Sequence, residues 1–259
     1  VDPTDDFGNE ITLTAIAYFN VTLLSGAITS NATWDVSGSP YLVTGDVEVA
    51  SSVLLKIDPG VKIRFTESSD DQNSGIDINR SELRILGTLR AVGTVSDSII
   101  FTSNAVSPVA GDWYGIFHDG TASGKIHLKY SRMEYYKYGI YISNHHSQPS
   151  SFSDIDSLRI ENSTFRYGSS AVLSNSQYYY GGYYITDNTV HQSPFIDLST
   201  AASYAIHIQN NTITNAFNHG IDISNALTWS NYGYSDFDTL YAVIDNNIIE
   251  FDALTELSN

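Results

Sequence analysis

The chain has 259 residues, 42% of them hydrophobic and 12% aromatic, with no cysteine, one methionine and a formal net charge of −17. That apolar content is enough for one large domain with a core, and the absence of cysteine excludes disulfides and thiolate metal sites. The acidic balance repels nucleic acid and other polyanions, whose binding needs Lys and Arg to displace counterions, and no apolar run approaches the ~20 residues of a membrane helix. The charge is unevenly placed: no Lys or Arg precedes Lys56 or follows Arg166, so both ends are acidic. A start at Val1 in a polar, acidic stretch reads as an exported protein whose signal has been removed.

Residues 1–33 show no repeat and are expected to form an N-terminal capping or assembly segment. From Trp34 onward the pattern predicts strands. Tyr41-Leu42-Val43, Val47-Glu48-Val49 and the alternating Val53, Leu55 and Ile57 lead to a turn at Pro59-Gly60, where Pro presets its dihedral and Gly supplies the positive one. Val61, Ile63 and Phe65 form the next inward set. A polar loop from Glu67 to Ser74 follows, then a long alternating run over Leu83, Ile85, Gly87, Leu89, Ala91 and Gly93. Ile99 and Phe101 end that turn of chain, and Gly111-Asp112-Trp113-Tyr114-Gly115-Ile116 opens the next.

From Leu128 one phrase is said five times, LKYSRM, IENSTF, ITDNTV, IQNNTI and IDNNII, opening at Leu128, Ile160, Ile185, Ile208 and Ile244. Unequal steps between openings mark a solenoid with loops of unequal length. Five residues after each opening stands a second apolar residue, Met133, Phe165, Val190, Ile213 or Ile249. Both are expected to point inward across a polar corner. Those corners are Tyr130-Ser131, Asn162-Ser163, Asp187-Asn188, Asn210-Asn211 and Asn246-Asn247. Asn enters left-handed backbone cheaply, as a sharp bend requires, and amides stacked at one height can bond along the column. Short answering strands follow, Ile140–Asn144, Ala171–Asn175, Ile196–Thr200, Ile221–Asn225 and Thr255–Asn259, alternating at period two.

Taken together, residues 34–259 resemble the secreted right-handed parallel β-helix proteins of the pectin-lyase-like superfamily. The resemblance implies an all-β fold, a right-handed parallel β-helix of about nine rungs, which at ~4.8 Å per rung gives a rod of about 40 Å. It is specific for fold and carries no single activity, since that superfamily includes lyases, glycoside hydrolases, tailspikes, adhesins and ice binders. Relatives that act on uronates set a basic residue beside an acidic calcium cluster, yet no Lys or Arg follows Arg166 to stand near Asp197 or Asp222. His219-Gly220 and Asp222 echo part of the polygalacturonase-like pattern, but its Arg-x-Lys element is missing. No catalytic residue is carried over.

Two surface features are candidate sites. The residues between the inward positions of the answering strands are read as Tyr141, Val172, Asp197, Asp222 and Glu256. Asp197, Asp222 and Glu256 would then stack at one strand spacing, and like charges that close raise a pKa or invite a cation, here calcium. The long insertions all fall between an answering strand and the next opening, so aromatic loops gather on one edge. They carry Tyr178, Tyr179, Tyr180, Trp229, Tyr232 and Tyr234, flanked by Tyr184. Flat rings with hydroxyls suit sugar stacking or a protein interface. His145-His146 lacks a visible third ligand.

The last phrase ends at Leu257-Ser258-Asn259 with no cap in view, while an isolated solenoid needs polar caps. The sequence therefore points first to an extracellular or cell-surface subunit that self-associates end to end or adheres, and not to an enzyme. The alternative is a β-helix that binds a surface glycan or acts on carbohydrate, as a hydrolase sooner than as a uronate lyase.

Overall fold

The computed structural model describes residues 21–118, 124–142, 158–174, 182–193, 195–198, 205–216, 220–223 and 241–251. Each turn of chain lays down up to three short strands, and each strand pairs in parallel with its counterpart one turn away. Face I is the 8-stranded sheet made of Ala32–Trp34, Leu54–Ile57, Thr88–Val92, Lys125–Lys129, Leu158–Glu161, Tyr183–Thr186, Ala205–Gln209 and Tyr241–Asp245. Face II stacks Lys62–Phe65, Ile99–Ser103, Ser131–Glu134, Thr164–Arg166, Thr189–His191, Thr212–Ala216 and Ile248–Phe251. Face III stacks Glu82–Ile85, Gly115–His118, Tyr138–Ile142, Ser170–Ser174, Ile196–Asp197 and Ile221–Asp222. The long strands Thr22–Ile28 and Tyr41–Val49 run round the corner between II and III and join those faces into one sheet. The chain is a parallel β-helix, and no helical segment occurs among the described residues.

The five-fold phrase explains the coil. Leu128, Ile160, Ile185, Ile208 and Ile244 lie in register on face I. Met133, Phe165, Val190, Ile213 and Ile249 lie in register on face II. Apart from Ile244 and Ile249, these residues are fully buried, each contributing ~1.5–3 kcal/mol of hydrophobic stabilisation. On face III the inward column is Ile140, Val172, Ile196 and Ile221. This corrects the sequence reading of one strand: Val172 points inward, fully buried, and Leu173 is the outward residue beside Tyr141. The physical reason is the corner before it, where Ser170 and Ala171 are both buried and shift the alternation by one.

The corners between faces I and II behave as the residue types demand. Tyr130, Asn162, Asp187, Asn210 and Asn246 all have φ between 47° and 59°. The residue after each turns inward and forms a hydrogen-bonded column. Ser131 N–H donates to Ser163 Oγ, Ser163 N–H to Asn188 Oδ1, Asn188 N–H to Asn211 Oδ1 and Asn211 N–H to Asn247 Oδ1, at 2.9–3.1 Å. The amides of Asn188 and Asn211 donate along the same column and to the carbonyls of Ile160 and Ile185. Polar atoms sealed inside the rod are thereby satisfied. A second left-handed column, Tyr135, Tyr167, Gln192 and Asn215, turns the chain from face II to face III. Tyr135 and Tyr167 stack there at 5.1 Å.

Within the stretch expected to cap or assemble, residues 21–33 carry strand: Thr22–Ile28 pairs with Tyr41–Val49, and Ala32–Trp34 opens face I. Leu24 and Ile28 pack against the core, so the described coil begins at Thr22. Residues 1–20 lie outside the described residues. Gly115 tests the tightness of stacking, since its φ is +137° and a Cβ there would strike the carbonyl oxygen of Tyr138. Gly115→Ala is expected to destabilise the fold by more than about 1 kcal/mol, read as a lower denaturation midpoint at unchanged m-value.

Candidate functional site

Face I presents a column of outward side chains that the register sets one turn apart: Lys56, Arg90, His127, Arg159, Tyr184 and His207. Alternation dictates this, because each lies between two inward apolar residues of its strand. Lys125 and Lys129 flank His127 on the same strand. Five of the twelve Lys and Arg residues of the chain, Lys56, Arg90, Lys125, Lys129 and Arg159, therefore sit on one face of a protein with net charge −17. The acids among them are few. Asp58 pairs with Lys56 at 2.7 Å. Glu161 accepts from Arg159 Nε at 2.9 Å, lies 3.1 Å from His127 Nε2 and 3.9 Å from Lys129 Nζ. The Arg159 hydrogen bond, above all, and the His127 contact hold the Glu161 carboxyl below its usual range against the cost of burial. Beyond the cations the column turns aromatic. Tyr184 stacks on His207 at 4.6 Å with planes 11° apart, and the Arg159 guanidinium lies 5.9 Å from the Tyr184 ring centre. A column of cations ending in stacked flat rings can hold an extended anionic chain by charge at one end and by ring contact at the other.

Asp197 and Asp222 are register partners on the outer side of face III, beside Tyr141 and Leu173. Glu256 lies outside the described residues, as do Tyr178, Tyr179, Tyr180, Trp229, Tyr232, Tyr234 and the His145-His146 pair. Tyr184, read with the loop aromatics, is a strand residue of face I. Among the described residues no three His, Asp or Glu side chains gather as a metal-holding group.

A buried acidic group on face III escaped sequence reasoning. Asp46 and Glu82 are neighbours on adjacent turns, where Glu82 N–H donates to Asp46 Oδ1 at 3.0 Å. Residues 66–81 cross over them. Ser74 Oγ donates to Asp46 Oδ2 at 2.8 Å, Ile76 N–H to Glu82 Oε1 at 2.8 Å, and Asp70 accepts the N–H groups of Asp46, Gln72 and Ser74. Glu82 is fully buried, its Oε2 without a hydrogen-bond partner. Burial, followed by repulsion from Asp46, outweighs the Ile76 N–H and Arg84 and pushes the Glu82 carboxyl up to about 7. Burial likewise raises Asp46. The only signal in the sequence was an acid at an outward strand position on each side of a long polar loop. Beside this group lies an aromatic cluster in which Phe117 stacks on Tyr141 at 5.7 Å, Tyr138 lies 5.6 Å from Tyr114, and Lys137 Nζ stands 5.2 Å from the Tyr114 ring centre.

No helix among the described residues is long and apolar enough to cross a membrane. Comparison with curated proteins and with solved structures finds no match. A family model described as a pectate-lyase-like β-helix domain matches residues 26–171, which run from the first long strand through the turn that carries Arg159. More than half of the chain is covered and the coil is the one this family names, so the protein belongs to the pectate-lyase-like β-helix domain family.

Proposed function

We propose that this β-helix is a secreted or cell-surface carbohydrate-binding protein that holds an extended acidic glycan along face I. The observation that carries the reading is the in-register column Lys56, Arg90, His127, Arg159, Tyr184 and His207. Its positions recur at the ~4.8 Å strand spacing, so the cations form a line along the rod. The net charge of −17 averages over this face, and over a Debye length of ~8 Å the ligand responds to nearby charges. Family membership supports a carbohydrate-related or structural role. Holding the glycan fits better than cleaving it, because the described carboxylates with raised pKa values are buried under residues 66–81, whereas glycoside hydrolysis needs both carboxyls at the sugar.

The test compares a carboxylated polysaccharide with an uncharged one by isothermal titration calorimetry across a salt series. The acidic polymer is expected to bind, with affinity falling as salt rises. Arg90→Ala and Arg159→Ala are each expected to weaken binding about five- to tenfold, roughly 1–1.4 kcal/mol, while Arg64→Ala on face II leaves it unchanged. Equal binding of the two polymers, or a double variant that binds like the parent, would count against the reading.

A structural role is the second reading, favoured by one observation. Ile244 and Ile249, inward residues of the last described turn, are 42% and 37% exposed. A second copy joined end to end would cover a surface of that kind, and sedimentation equilibrium over a wide concentration range tests for it; a monomer throughout counts against this reading.

A further inference from the structure

Residues 66–81 leave face II after Phe65 and return to face III at Glu82, but they do not stay at their own level. Asp71 N–H donates to the Thr44 carbonyl one turn back, and Ser68 N–H to the Asp112 carbonyl one turn ahead. Arg80 Nε donates to the Gly111 carbonyl at 2.6 Å, and Asp77 accepts from Lys137 Nζ at 3.2 Å, two turns ahead. The segment is a strap laid along the rod. Its middle is fastened to the buried acids: Ile76 N–H on Glu82, Ser74 Oγ on Asp46, and the Asp70 carboxylate on the backbone of Asp46. Gly75 is the crossing point, at φ +67°, where a side chain would collide with both the Glu82 and the Asp46 carboxyl oxygens.

We propose that this strap is a proton-operated latch, closed over face III while Glu82 carries a proton and released when Glu82 ionises beneath it. The groups that face Glu82 set the balance. Asp46 on the preceding strand repels its charge, and Asp70 on the strap raises Asp46 in turn. Arg84, two residues along the same strand, favours the charged form. Tyr114 lies beside the acid at the next turn and is itself pushed up by burial. Burial works against the charge of Asp77, but the Asn79 N–H, Lys137 and Arg80 outweigh it and keep that carboxyl low, so the outer fastening holds throughout the range in which Glu82 titrates. The strap N–H groups of Ile76 and Asp77 favour the charged form too, but Glu82 Oε2 itself makes no hydrogen bond, and burial outweighs them. In the closed state the carboxyl titrates at about 7, and in a solvated, open strap near 4.5. The closed form thus binds the proton more tightly. Its advantage is complete below pH 4.5 and is lost progressively as pH rises through about 7, levelling off about a unit above that.

Amide hydrogen exchange of residues 72–78, corrected for intrinsic rates, tests this on the whole chain. Protection of the Ile76 amide is expected to fall about fortyfold between pH 5 and pH 7, and to level off about twofold lower by pH 8. The amides of face I strands serve as reference and are expected to keep constant protection. Glu82→Gln keeps the acceptor for Ile76 N–H and removes the titration, so its strap is expected to stay protected at every pH. A Glu82 side-chain carbon that titrates below pH 5 in a carboxyl-detected NMR series, or a strap whose protection falls equally in the parent and in Glu82→Gln, overturns the latch. Neither outcome bears on glycan binding at face I, whose residues lie on another face.

Discussion

Asn211→Ala is expected to lower the stability of the coil by about 4 kcal/mol. The side chain is fully buried and its Oδ1 accepts both the backbone N–H and the Nδ2 of Asn188. Its own Nδ2 donates to Ile185 O and to Asn247 Oδ1. Truncation leaves donors on the nearly buried Asn188 and a carbonyl on the turn before without partners, at ~1–3 kcal/mol for each buried group that stays unpaired. Denaturant unfolding followed by circular dichroism measures it. Asn247→Ala, at a half-buried position, should cost clearly less; equal losses at both sites would mean that burial is not what makes the column matter.

Trp113→Ala is expected to cost a further class of energy, about 4 kcal/mol from packing. Trp113 is fully buried, stacks on Phe65 of the preceding turn at 3.9 Å and meets Tyr136 of the next edge-on, with Nε1 donating to the Glu134 carbonyl at 2.9 Å. Its removal opens a cavity shared by three turns. Thermal unfolding should show a lower midpoint, and Trp113→Phe should recover part of the loss because it keeps one stacked ring, giving up the second ring of the indole and the Nε1 hydrogen bond.

The coil was legible because its inward residues repeat. Leu128 to Ile244 and Met133 to Ile249 needed only the five-residue offset, and the Asn corners needed only the known ease with which Asn enters left-handed backbone. The second corner column was not read, although Tyr135, Tyr167, Gln192 and Asn215 each stand five residues after a first-corner residue. Tyr and Gln carry no intrinsic signal for that conformation, and the Tyr135–Tyr167 stack that accompanies it is a contact between turns. Val172 was misplaced for a related reason, since period two alone does not reveal where a corner resets the count. The face I column illustrates the larger limit. Lys56, Arg90, His127 and Arg159 are 34, 37 and 32 residues apart in sequence, and a net charge cannot report that folding lines them up. Asp46 and Glu82 were invisible as a pair because a strap of ordinary loop composition does the burying.

The strap and the amide column lie at opposite ends of the described coil and overlap. The strap binds the chain from Thr44 to Lys137 on the outside of the rod, while the column binds it from Ser131 to Asn247 on the inside. Ser131 and Lys137 belong to the same turn. The arrangement is a lap joint: two ties of different material, each running lengthwise, spliced where one begins and the other ends. From Thr44 to Asn247 the turns are thus never held by strand pairing alone, so over that span the rod resists peeling one rung at a time, the ordinary way in which a solenoid frays.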